Sequence, residues 1–246
     1  MADSNLMADR ALSPDYAGML ADLRVAEAVR ERWPDYRALV IVAEGLDPAR
    51  FDLAADPDPL ARAETWVREQ GEADWPAHPH IAAWMAAYSA FGAKPKRTSP
   101  SVLALIKRAG GGLPRIDPVT DLYNAVSVRH VLPVGGENLA AYVSAPRLEV
   151  AAGGEPFDTM ESGAPAMDAA LPGEVIWQDD AGVTCRRWNW RQCVRTRIGP
   201  ETTTAFFLLE ALGAMSDSEL QAAGNELQAG LRRLAPGVAL AERLAP

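Results

Sequence analysis

The spacing of apolar and polar positions changes character partway along the chain. Ala21 to Arg32 is charged and helix-prone, and Trp33-Pro34 ends that pattern. A short apolar run from Tyr36 to Gly45 then predicts a buried strand. Phe51 to Pro59, rich in Asp and Pro, predicts a loop. Helices are predicted over Leu60–Gln70 and Ile81–Phe91, separated by the turn-rich Asp74–His80. Another is predicted to begin near Ser99, which can cap it, with Pro100 at its first position. Gly110-Gly111-Gly112 ends it. Asp117–His130 predicts one more helix, with Val119, Leu122, Tyr123 and Val126 on its buried side.

After Pro133-Val-Gly-Gly the chain breaks into short strand-like runs. These are Ala141–Ser144, Arg147–Val150, Glu174–Gln178, Val183–Gln192 and Ala205–Leu212. Gly153-Gly154 and Asp179–Gly182 have the composition of hairpin connections. A last helix is predicted from about Asp217 to Leu234, followed by a loose Pro/Ala-rich end. No internal repeat is visible. The pattern is α+β, helical in its first half and sheet-rich in its second. The expected organisation is a disordered tail over 1–13, one domain over 14–235 and a second tail over 236–246. Within that domain, 14–112 is mainly helical, and 113–235 holds the sheet-rich core and the last helix.

Length and charge narrow the function classes. The chain has 246 residues and a formal net charge of -9, enough length for one large core. No apolar run approaches the roughly 20 residues of a membrane span, and the first residues lack the apolar core of a secretory signal. The expectation is a cytoplasmic protein with no membrane partner, and a monomer is among the states left open. Cys185 and Cys193 are expected to be packing residues. The acidic balance argues against general nucleic-acid affinity, and no DNA partner is expected, although a local basic groove is compatible with it.

Two basic stretches have the composition such a groove needs. Cys185 to Arg197 carries five arginines and two tryptophans, with no acid from Ala181 to Pro200. Arginine forks suit phosphate oxygens, and tryptophan offers a face for stacking. A second acid-free stretch, Phe91 to Ile116, holds Lys94, Lys96, Arg97, Lys107, Arg108 and Arg115. If Val183–Gln192 is a continuous strand, Arg187, Asn189 and Arg191 share one face with the cysteines, and Arg186, Trp188, Trp190 and Gln192 share the other. The plainer reading is a pair of core tryptophans whose arginines reach outward to the surplus acids. His78, His80 and His130 lack the spacing of a metal site. No phosphate-binding glycine loop and no Gly-x-Ser-x-Gly elbow is present. Neither metal nor cofactor is expected.

Three strings carry a resemblance: Pro118-Val-Thr-Asp-Leu-Tyr-Asn-Ala-Val-Ser-Val, Leu132-Pro-Val-Gly-Gly, and Arg187-Trp-Asn-Trp-Arg-Gln with the later Thr196. Together they resemble the freestanding B3/B4 domain proteins, which are similar to the editing domain of the phenylalanyl-tRNA synthetase beta subunit. The resemblance covers roughly Trp84 to Leu212. It implies a three-layer, mixed-sheet α+β fold with a pocket beside the sheet. It also implies an ester hydrolase, an aminoacyl-tRNA deacylase acting in trans on mischarged tRNA. Asp121 and Asn124 match the family's Asp-x-x-Asn helix, and Leu208-Leu-Glu210 is similar to the strand whose acid reads the wrong amino acid. Where the synthetase has a Gly-Gly turn this chain has Asn189-Trp190-Arg191, and the synthetase's histidine has no match in Glu137-Asn-Leu-Ala-Ala.

On that resemblance, Asn124, Ser127, Asn189, Gln192 and Thr196 are the groups expected to hold a water or an oxyanion. Arg187 and Arg191 would hold the terminal phosphates, Trp188 or Trp190 would stack the terminal adenosine, and Glu210 would select the amino acid. Lys94, Lys96, Arg97, Lys107 and Arg108 would meet the tRNA backbone. Tyrosine on a phenylalanine tRNA, or an arginine analogue such as canavanine on an arginine tRNA, are the candidate substrates. A non-catalytic RNA-binding module and an amino-acid sensor that kept the pocket are the alternatives.

Overall fold

A computed structural model describes residues 10–94 and 97–245. The chain order is α1 (Pro14–Asp22), β1 (Arg24–Val25), α2 (Glu27–Arg32), β2 (Arg37–Glu44), α3 (Pro59–Glu69), α4 (Pro79–Ala90), α5 (Ser101–Ala109) and α6 (Pro118–His130). Then come β3 (Val134–Asn138), β4 (Arg147–Val150), β5 (Pro156–Glu161), β6 (Ala164–Ala169), β7 (Val175–Asp179), β8 (Gly182–Arg186), β9 (Arg191–Gln192), β10 (Thr204–Ala211), α7 (Asp217–Leu234) and β11 (Ala239–Ala245).

The central layer is an antiparallel sheet in the order β11-β2-β10-β3. Its two central strands, β2 and β10, are buried on both faces and are nearly unbroken apolar runs. One face, with Leu39, Ile41, Phe207 and Leu209, packs on α6 and α7. The other, with Val40, Val42, Phe206 and Leu208, meets a second sheet in the order β1-β4-β7-β8-β9, together with α4. The fold is therefore α+β and layered as helices, sheet and sheet. Helices α3, α4, α5 and α6 share a further apolar cluster around Leu60, Ile81, Val102 and Val128.

Local chemistry explains most boundaries. Asp117 accepts from the Val119 and Thr120 amides and caps α6, with Pro118 at its first turn. Ser216 and Glu219 form a reciprocal capping box on α7. The β5–β6 connection, Ser162-Gly163, has φ of 52° and 82°, the left-handed pair that matches strand twist in a tight hairpin.

Several expectations are corrected. The helix expected over Ala21–Arg32 is broken at Leu23, because Arg24 and Val25 pair in parallel with Arg147 and Leu148. Ser99 does not cap α5, whose cap position is Pro100 and whose first residue is Ser101. Ala141–Ser144 is not a strand: the Asn138 side chain accepts from the Ala140 amide and turns the chain. Gly153-Gly154 does not close a hairpin, since β4 pairs with β7 rather than with β5. The loose end expected after Leu234 contains β11, which pairs with β2 from Glu44 to Ala38. At the other end, Leu12 packs against the core and the Ser13 amide donates to Glu44, so the expected tail is tied down there.

The correction with most consequence lies in Val183–Gln192. The strand stops at Arg186, and Arg187 and Trp188 take φ of 48° and 68° before β9 resumes antiparallel to β8. Left-handed backbone at two bulky residues costs on the order of 1–3 kcal/mol each. Burial of Trp188 offsets it: its ring is fully enclosed, edge-on to Trp33, Tyr36 and Trp84 at centroid distances of 4.8, 5.0 and 5.1 Å. The alternation of faces inferred for a continuous strand therefore does not hold.

Candidate active site

A cavity of about 460 Å³ opens over the β3–β10 half of the central sheet, a volume suited to a small organic ligand. Its walls are α5, the Tyr123–Asn124 turn of α6, and the Asn189–Gln192 segment that the left-handed turn creates. Gly136 allows the close approach of α6 to β3, because a Cβ there would lie 2.7 Å from the Tyr123 ring.

Two buried carboxylates form part of the wall. Glu210 is 2% exposed. Its Oε1 accepts from the Tyr36 hydroxyl at 2.7 Å and the Trp177 indole at 3.1 Å, and its Oε2 accepts from the Asn189 amide at 3.1 Å. Burial pushes its pKa up to about 7, while these donors pull the other way. Asn189 is itself fixed, since its Oδ1 accepts from the Tyr88 hydroxyl at 2.8 Å. Glu137, also 2% exposed, sits on β3 across from Phe206. Its Oε2 accepts from the Thr196 hydroxyl, and the Tyr142 hydroxyl lies 2.9 Å away. Burial lifts its pKa to about 8 against those two bonds. Among the described residues nothing donates to its Oε1, which is left to the cavity.

Of the residues singled out in the sequence, Asn124, Asn189, Gln192, Glu210, Trp190, Arg191, Arg97 and Arg108 line this one cavity. Asn124 is half-buried, and its amide has no partner among the described residues. Gln192 donates through Nε2 to the Gly136 carbonyl at 2.9 Å, which frees its own carbonyl. Arg97, Arg108 and Arg191 are exposed along the wall. The Arg191 guanidinium lies 5.0 Å from the centre of the half-buried Trp190 ring.

Other candidates fall elsewhere. Trp188 borders the cavity too, but its ring is fully buried and packed by aromatic rings, so it cannot stack an adenosine. Ser127 is fully buried and donates to the Leu132 carbonyl, closing the end of α6. Thr196 stands behind Glu137 rather than in the wall. Arg187 is engaged by Glu174 at 2.7 Å and Thr98 at 2.5 Å, and its guanidinium lies 4.5 Å from the centre of the Trp190 ring. Lys94 and Lys107 are exposed but not in the wall, and Lys96 lies outside the described residues. Arg186 pairs with Glu174 and Asp168, and Arg195 with Asp179. The basic segment is thus partly neutralised by distant acids, as the plainer reading held.

The cysteines are buried in two different clusters. His80 serves the core: Nδ1 meets the Val131 carbonyl at 2.9 Å, and Nε2 accepts from Trp84 and the Leu212 amide. Among the described residues no group of three or more His, Cys, Asp or Glu could hold a metal ion, and no helix is long and apolar enough to cross a membrane. Sequence reasoning missed Glu137 as a site residue, and with it the hydroxyls of Tyr36, Tyr88 and Tyr142. The one signal for Glu137 was an acid directly after Gly135-Gly136 in a strand-like setting.

Comparison with known families supplies one match. The model of the B3/4 domain matches residues 83–220, more than half of the chain, from α4 to the first turn of α7. Every cavity residue named above falls inside that span, and Tyr36, behind Glu210, falls outside it. No curated protein matches the chain.

Proposed function

The chain belongs to the B3/4 domain family, and from that premise we propose that it is a deacylase that hydrolyses the ester between an amino acid and a tRNA. The observation that carries this reading is the polarity of the cavity: exposed arginines on its outer wall, two buried carboxylates within. An aminoacyl-tRNA end has the matching order, with phosphates outermost, then a nucleoside, the ester, and a cationic or polar amino acid. Arg97, Arg108 and Arg191 would attract the phosphates, and Trp190 offers the accessible ring for the terminal base.

Glu210, held rigidly by three donors, would receive a polar or cationic end of the amino acid. Asn124, with its amide free, would donate to the oxygen that gains charge as water adds to the ester carbonyl. The ester is already activated, so placement of water and charge stabilisation supply most of what the reaction needs. Tyrosine carried by a phenylalanine tRNA and a basic arginine analogue on an arginine tRNA both fit a carboxylate receptor. The test is release of amino acid from a panel of correctly and incorrectly charged tRNAs, with Asn124→Ala alongside. Rapid release from one mischarged species, slowed at least about 100-fold in the variant, is expected. Absence of release from every species would overturn the reading.

A further inference from the structure

Glu137 and Glu210 are the two acids in the cavity wall, and they are not equivalent. Both oxygens of Glu210 are occupied by protein donors. Glu137 has both of its hydroxyl contacts on Oε2, leaving Oε1 to the cavity. A carboxylate fixed through one oxygen and open at the other has the geometry of a proton acceptor, whereas one held at both oxygens is placed as a fixed receptor. We infer that Glu137 is the general base of the hydrolysis, and that Oε1 takes the proton of the attacking water. This rests on the deacylase reading above and adds the reacting group that the reading lacks.

Three further observations support it. The Gln192 amide is bonded to the carbonyl of Gly136, the residue before Glu137, and packs over Gly135 on the strand face that Glu137 shares, so its own carbonyl is available to accept the second proton of a water in the cavity. On β10, Phe206 faces Glu137, whereas Glu210 is level with Pro133. The two acids therefore share a face about 13 Å apart along the strand, which leaves space for an amino-acid side chain between the water and its receptor. Burial also brings Glu137 to about 8, in the range where a base works near neutral pH. The titratable groups around it are Tyr142, Tyr123, Cys185 and Cys193, with the Arg195–Asp179 pair beyond.

The step balances without a further reagent. Water's oxygen bonds to the ester carbon as Glu137 takes one proton, and Asn124 donates to the oxyanion. Collapse breaks the bond to the ribose oxygen, which takes the proton back from Glu137. The products are the free amino acid and a tRNA with its hydroxyl restored.

The test is a single-turnover pH profile of the full chain on the mischarged tRNA that it hydrolyses, for the wild type, Glu137→Gln and Thr196→Val. The rate of the wild type is expected to rise with pH and level off near the ionisation of Glu137. Glu137→Gln should lose about 10²- to 10⁴-fold in rate with substrate affinity within about threefold, and its profile should lack that rise. Thr196→Val removes a donor to the ionised carboxylate, so its rise should move to higher pH. If Glu137→Gln does not fold, the Thr196→Val profile decides. An active wild type matched by Glu137→Gln, or a rise unmoved in Thr196→Val, overturns the inference alone. A wild type inert on every charged tRNA overturns the deacylase reading and the inference with it.

Discussion

The Asn189 side chain joins Tyr88 to Glu210: it accepts from the tyrosine hydroxyl at 2.8 Å and donates to the carboxylate at 3.1 Å. Its place depends on the left-handed backbone of Arg187 and Trp188 just before it. The strained turn, the buried tryptophan and the orientation of the buried acid are thus one arrangement. Replacing Asn189 by Ala leaves a buried acceptor and a buried hydroxyl without partners. We expect a loss of about 1–3 kcal/mol, read as a lower urea midpoint with an unchanged slope, together with weaker substrate binding.

Stability should fall as pH rises above about 6.5. Glu137 and Glu210 ionise near 4.5 when unfolded but near 8 and 7 when folded, so the unfolded state sheds its protons first. Their contribution is full below about 4.5 and is lost as pH climbs through 7 and 8. His78 and His80, held below 6.5 by burial, act oppositely, and their contribution is already complete above that pH. Burial holds both cysteines above their usual 9.0, so they add loss only at higher pH. Between pH 6.5 and 8 the slope should approach roughly 1.4 kcal/mol per pH unit for each carboxylate still protonated. Urea titrations at pH 6.5 and 8 check this, and Glu137→Gln should flatten the difference.

Two neighbouring arginines should separate binding from folding. Arg191 has no ion pair among the described residues and is exposed in the cavity wall. Arg191→Ala should weaken tRNA binding, reduce the salt slope by about one unit and leave stability within about 0.5 kcal/mol. Arg186 is buried against Glu174 and reaches Asp168, so Arg186→Ala strips the buried Glu174 of its two-pronged partner, leaves Arg187 as its one remaining cation among the described residues, and should cost about 1–3 kcal/mol. Binding measured across a salt series, beside denaturation curves, distinguishes the two.

Gly136→Ala should strain the floor of the site. The new methyl would meet the Tyr123 ring at 2.7 Å and Phe207 at 3.0 Å, and α6 must move to accept it. The expected cost is about 1–3 kcal/mol, with displaced Tyr123 and Asn124 resonances in the folded protein.

Much of this fold was legible because its signals are local. The apolar runs of β2 and β10, the capped start of α6 and the limits of α7 follow from patterns within a dozen residues. β11 was not legible: Ala-Leu-Ala-Glu-Arg-Leu-Ala has no strand preference, and only its pairing with β2 extends it. β3 was hidden for a related reason, since Gly135 and Gly136 carry no strand signal and matter only through what packs on them. Glu137 was overlooked with it. The turn at Arg187-Trp188 has no marker at all, as neither residue favours left-handed backbone. Asn124, Asn189, Gln192 and Glu210 were identified from their resemblance to a family, and the cavity brings the four together.

The central claim is that this cavity receives the aminoacyl end of a tRNA. A structure of the full chain with a non-hydrolysable aminoacyl-adenosine amide tests it most directly. The account predicts the adenine against Trp190 and Arg191, the carbonyl within reach of Asn124 and Glu137, and the amino-acid side chain directed at Glu210. A ligand bound away from the β3–β10 face, or seated with its side chain away from Glu210 and its carbonyl out of reach of Asn124, would contradict it.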